Sequence, residues 1–134
     1  MRAACGKAAV GDMLTMLREL EETSIVLEWH ANGLAFPIPG MIMKHWKPGQ
    51  MNEKYAEART GYQRALQAVR RAREKTPEEK QDYVDYWISR LEFGIGYFDT
   101  IEAVSRAATA QKAGNPGEPY QNTKDALTKA RLAL

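Results

Sequence analysis

Residues 76–98 read Thr76-Pro77-Glu78-Glu79-Lys80-Gln81-Asp82-Tyr83-Val84-Asp85-Tyr86-Trp87-Ile88-Ser89-Arg90-Leu91-Glu92-Phe93-Gly94-Ile95-Gly96-Tyr97-Phe98, and they commit this part of the chain to helix. Thr76 is a residue type that caps, Pro77 suits a first helical turn, and Glu79 stands where a capping box needs an acid. No further breaker occurs before Gly114-Asn115-Pro116-Gly117, so one helix is expected to run to about Ala113. At about 100° per residue, Val84, Trp87, Ile88, Leu91, Ile95 and Phe98 fall within a stripe roughly 100° wide. Tyr83, Tyr86, Arg90, Phe93 and Tyr97 form a second stripe, displaced by roughly 140° from the first. Two stripes imply a helix covered from both sides, or one that presents its aromatic face to a partner. The second stripe is therefore a candidate interaction face. Gly94 and Gly96 each cost about 1 kcal/mol against alanine inside a helix, and predict close approach of a neighbouring helix or a kink.

Helical periodicity continues on both sides of this run, and no segment shows sustained strand alternation. A first helix is expected from about Asp12 to Trp29, with Met13, Leu17, Leu20, Ser24 and Leu27 on its inner stripe. Asp12 is the expected N-cap, and Asn32-Gly33 the expected stop. The Ala-rich start, interrupted by Gly6 and Gly11, is a candidate backward extension. A second helix is expected between about Met51 and Lys75, with Tyr55, Ala58, Tyr62, Ala65, Leu66, Val69 and Ala72 inward. A short last helix follows Asn122 or Thr123, with Ala126, Leu127, Ala130 and Leu134 inward. The expected fold is an all-α bundle of about four helices with one long central helix, forming a single domain over residues 1–134.

Residues 31–50 are expected to form a long loop between the first two helices. The loop contains Pro37, Pro39, Gly40, Pro48 and Gly49, yet it also holds Leu34, Phe36, Ile38, Met41, Ile42, Met43 and Trp46. Long connections in compact domains are uncommon and often functional. So much apolar surface has to be covered, either by the end of the bundle or by a ligand or second domain. Trp29, His30, Phe36, His45 and Trp46 are the candidate ligand-binding residues. Flat rings beside polar side chains are what carbohydrate surfaces use, with a ring against a sugar face and neighbours on its hydroxyls.

Composition narrows the alternatives. The 134 residues are 44% hydrophobic and 27% charged, ordinary for a soluble globular chain, and no run approaches the ~20 apolar residues of a membrane helix. Gly6, Lys7 and Gly11 interrupt what would be a secretory signal, so the sequence as written predicts a cytoplasmic protein. Nineteen basic against 17 acidic residues are too balanced for a nucleic-acid footprint. Arg64, Arg70, Arg71, Arg73 and Lys75 do cluster, and are read as a solvated face in preference to a phosphate site. Cys5, the lone cysteine, excludes an internal disulfide and a multi-cysteine zinc site. No His-x-x-x-His, Glu-x-x-His, Walker loop, nucleophile elbow or dinucleotide fingerprint is present. Two histidines without a third ligand, and a cysteine with no activating neighbour, make no catalytic set. The expectation is a non-enzymatic protein with no cofactor and no metal.

The order of features bears a family likeness. Gly6-Lys7-Ala8-Ala9 running into Met13-Leu14-x-Met16-Leu17 resembles the helix after the catalytic barrel in large bacterial glycoside-hydrolase-like proteins, relatives of α-glucuronidases and β-N-acetylhexosaminidases. His45-Trp46-Lys47-Pro48 before an Ala-rich helix is similar to their next element, and residues 86–97 look like their following aromatic helix. The resemblance implies a non-catalytic helical region, because the acid and nucleophile of such enzymes lie in the barrel. The expected partners are another protein domain or a second copy, with carbohydrate as an alternative ligand, and neither nucleic acid nor membrane.

Overall fold

The computed structural model describes residues 1–30, 42–114, 125 and 127–132. Among these residues every regular element is helical, in the order α1 (Arg2–Cys5), α2 (Val10–His30), α3 (Glu53–Glu74) and α4 (Gln81–Lys112). Short 3-10 turns at Lys7–Ala9, Met43–His45 and Glu78–Lys80 precede α2, α3 and α4. The all-α bundle is as expected.

Helices α2, α3 and α4 run up, down and up, and their charges record the register. Arg64 pairs with Glu19 at 2.9 Å, and Arg71 with Asp12 at 3.2 Å, so α3 descends as α2 rises. On its other side, Arg59 meets Asp99 at 3.1 Å, Arg70 meets Glu92 at 3.0 Å, and Arg73 meets Asp85. The three apolar stripes close on two clusters. One gathers Cys5, Met13, Met16, Ala65, Val69, Ala72, Val84 and Leu91, with Trp87, Ile88 and Ile95 packed against it. The other centres on Leu27, Ala58, Tyr97, Phe98 and Ile101, flanked by Tyr55, Tyr62 and Ile42. The inward residues expected of α3 all belong to these clusters, because alanines at three- and four-residue spacing let both neighbours come close.

Several local expectations are corrected. Met13, Leu17, Leu20 and Leu27 of α2 face the core as expected, joined by Met16 and Thr23, while Ser24 is exposed and donates to the Leu20 carbonyl at 2.8 Å. Gly61 of α3 is the cause, since the Thr23 side chain occupies the space where a Cβ on Gly61 would stand. Asp12 caps nothing. The chain already turns through Lys7–Ala9 into α2, and Asp12 accepts instead from Lys75 at 2.6 Å and Arg71 at 3.2 Å. Thr76 ends α3 rather than opening α4, because its buried hydroxyl donates back to the Ala72 carbonyl at 2.7 Å. The Ala-rich start forms α1, broken from α2 at Gly6, whose φ of 83° and 2.9 Å gap from a hypothetical Cβ to Pro77 Cδ both require glycine. The true side-chain cap is Asn52, whose Oδ1 accepts from the Lys54 amide at 2.8 Å at the head of α3.

Gly94 is explained by a side chain. The Tyr62 ring lies where a Cβ of residue 94 would be. At the far end, Gly114 with φ 76° terminates α4 as expected. Residues 127–132 are helical, but Leu127 is 65% exposed, not inward. Asn32, Gly33, Ala126 and Leu134 lie outside the described residues.

Candidate functional site

The candidate ligand residues divide. Phe36 lies outside the described residues; Trp29 and His30 end α2, and their side chains are likewise outside what is described. His45 and Trp46 belong to a strap, residues 42–49, that crosses the C-terminal half of α4. The strap is fixed at several points. The His45 carbonyl accepts from Ser105 at 3.4 Å, and Trp46 Nε1 donates to Gln111 Oε1 at 3.2 Å. The Gly49 amide donates to Thr109 Oγ1 at 2.8 Å. Ser105 and Thr109 are one turn apart and so face the strap together. These anchors leave no signature in the sequence, since hydroxyls four residues apart in a helix are commonplace.

The His45 ring stands edge-on to Tyr55, with centroids 5.3 Å apart and planes at 81°. It is half-buried, and that desolvation first, then Lys47 and Lys44, holds its pKa below the ordinary value. Burial likewise pushes the Tyr55, Tyr62 and Tyr97 phenols up, so these groups stay neutral at physiological pH. Cys5 is completely buried in the first cluster, whereas His45 packs at the second, so the two do not form a thiol–imidazole pair.

The basic cluster of α3 is a set of interhelical ion pairs. Arg64, Arg70, Arg71, Arg73 and Lys75 each meet a carboxylate on α2 or α4. Asp12 is held below the usual carboxylate range by Lys75 and then Arg71, and Glu102 by Arg59 and then Arg106. Among the described residues no group of three metal-ligating side chains occurs, and no helix is long and apolar enough to cross a membrane.

The aromatic stripe of α4 changes character along its length. Tyr97 is buried in the second cluster, and Phe93 is half-buried. Tyr83 and Tyr86 are 36% and 54% exposed. Arg90, one turn on, places its guanidinium carbon 5.7 Å from the Tyr86 ring centre and donates to the Tyr86 hydroxyl at 3.1 Å. On its other edge Tyr86 meets Trp87 in a T-shaped contact at 5.7 Å. Trp87 in turn reaches the first core cluster, and its indole N–H is buried with no hydrogen-bond partner among the described residues. The stripe is thus buried at Tyr97, while Tyr83, Tyr86 and Arg90 nearer the start of α4 are exposed. No protein-family model, curated protein or solved structure matches the chain.

Proposed function

We propose that this chain is a non-catalytic helical bundle, an interaction or accessory domain that docks another protein domain on the Tyr83–Tyr86–Arg90 face of α4. The observation that carries the reading is an exposed Tyr86 ring held between Arg90 and Trp87, with the exposed Tyr83 one turn before it. Tyr and Arg are enriched at interface centres because they contribute large area, and a stacked guanidinium loses less freedom on docking. Trp87 ties that face to the core, so the surface is rigid. The polar groups that chemistry would draw on have structural partners instead: Asp12, Glu19, Asp85, Glu92, Asp99 and Glu102 hold helices together, and Cys5 fills the core. The likeness to helical regions beside glycoside-hydrolase barrels supports the same role, with the neighbouring domain of a carbohydrate-active protein as the partner.

A photo-crosslinking phenylalanine analogue at position 86, expressed in the native cells, tests this. One discrete adduct is expected from position 86, lost on Arg90→Ala, with none from exposed position 63. The anionic dye anilinonaphthalene sulfonate should bind the purified chain and be released by Tyr83→Ser/Tyr86→Ser. No adduct together with no dye signal overturns the reading.

A further inference from the structure

The outer face of α2 carries a pattern independent of the α4 face. Leu14 and Ile25 are 50% and 51% exposed, and Arg18 and Glu21 between them are exposed too. All four lie within an arc of about 60° on the side of α2 away from the core, at the four–three–four spacing that lines up a helix–helix seam. Their order is apolar, basic, acidic, apolar. Read in reverse, it is apolar, acidic, basic, apolar, its own complement. Two other α2 carboxylates, Asp12 and Glu19, are taken by α3 and the residue that follows it. Arg18, Glu21 and the flanking Glu22 make no ion pair within the described residues.

We infer that α2 pairs with α2 of a second copy of this chain, antiparallel, about a two-fold axis level with the midpoint between Glu19 and Leu20. That axis sets Leu14 opposite Ile25 of the other copy, and Arg18 opposite its Glu21 with Glu22 alongside. Each contact occurs twice, as a two-fold requires. The two outer apolar layers supply buried area and the two inner layers supply charge matching that fixes direction and register. A parallel pair would instead stack Arg18 on Arg18 and Glu21 on Glu21. A single helix pair buries less than a standard interface, so the dimer is a weak one, seen at high protein concentration.

Sedimentation equilibrium on the full chain, from micromolar to about millimolar, tests the pairing. The unaltered chain should move from monomer to dimer over that range. Arg18→Glu, and separately Glu21→Lys/Glu22→Lys, place like charges in both inner layers, and each should weaken dimerisation at least about tenfold. Mixing the two variants in equal amounts should restore a dimer that contains one of each, because every inner layer again joins opposite charges. All these side chains are exposed, so each variant should keep the helical circular-dichroism spectrum of the unaltered chain, which is checked before sedimentation. Dye binding and the adduct from position 86 should not change in Arg18→Glu, which separates this pairing from the α4 face. A chain that stays monomeric at millimolar concentration, or a mixture that does not recover the dimer, overturns the inference.

Discussion

Gly61 shows how one missing methyl sets the rotation of a helix. In isolation, glycine inside α3 is a cost of about 1 kcal/mol relative to alanine. Here the Thr23 side chain fills the space of the absent Cβ, and Thr23 sits on the buried face of α2. Because both groups are held by packed backbone, added volume has nowhere to go. Gly61→Ala is expected to destabilise the chain by about 1–3 kcal/mol despite the gain in helix propensity. Gly11 is the contrast, because a methyl added there would meet nothing within 4 Å. Gly11→Ala should therefore stabilise by about 0.5–1 kcal/mol, both changes read from chemical denaturation. Opposite signs are the informative result; equal signs would refute the packing argument. The sequence marks both glycines alike, since what separates them is a residue on another helix.

Elements here are stabilised by what crosses them, and the strap over α4 is the clearest case. Its attachment combines the Ser105, Gln111 and Thr109 hydrogen bonds with the edge-on contact of His45 and Tyr55. The ordinary histidine value is 6.5, and burial followed by the nearby Lys47 and Lys44 places the folded His45 below it. The folded form thus prefers the neutral ring. That preference contributes stability that is fully present above the unfolded value and is lost as pH falls through the folded one. An NMR titration should find the His45 ring protonating below 6.5, with weaker protection of the Gly49 amide, relative to its intrinsic exchange rate, on the acid side. His45→Phe keeps an aromatic edge against Tyr55 and should remove that acid-dependent loss of protection. A ring that titrates at or above 6.5 contradicts the account. The apolar loop signalled in the sequence a need for cover; it did not signal that hydroxyls of Ser105 and Thr109 would hold part of it.

For the whole molecule, the ion pairs of α3 decide register more than total stability. Arg59 reaches both Asp99 at 3.1 Å and Glu102 at 2.6 Å from a half-buried position, and Glu102 also accepts from Arg106. Arg70 has one exposed carboxylate partner. Exposed single pairs contribute about 0–1 kcal/mol, and a partly desolvated network is screened less by salt. Arg59→Ala should accordingly cost about 1 kcal/mol or more, and Arg70→Ala less than about 0.5 kcal/mol. Thermal unfolding at low and high salt measures both, and a larger loss from Arg70 would invert the argument. The sequence by itself determined the all-α class, the span of α3, the reach of α4 to Gly114 and the Tyr83–Tyr86–Arg90 pattern. Those follow from periodicity and breakers, which act over a few residues of one stretch of backbone. Only the tertiary structure decided that Thr23 and not Ser24 faces inward, that Asp12 binds cations instead of capping, which carboxylates on the neighbouring helices the solvated basic cluster meets, and that Tyr97 is core. Each of those depends on which helix lies opposite, and a helix stripe about 100° wide fixes a residue's neighbours only after its partner is in place.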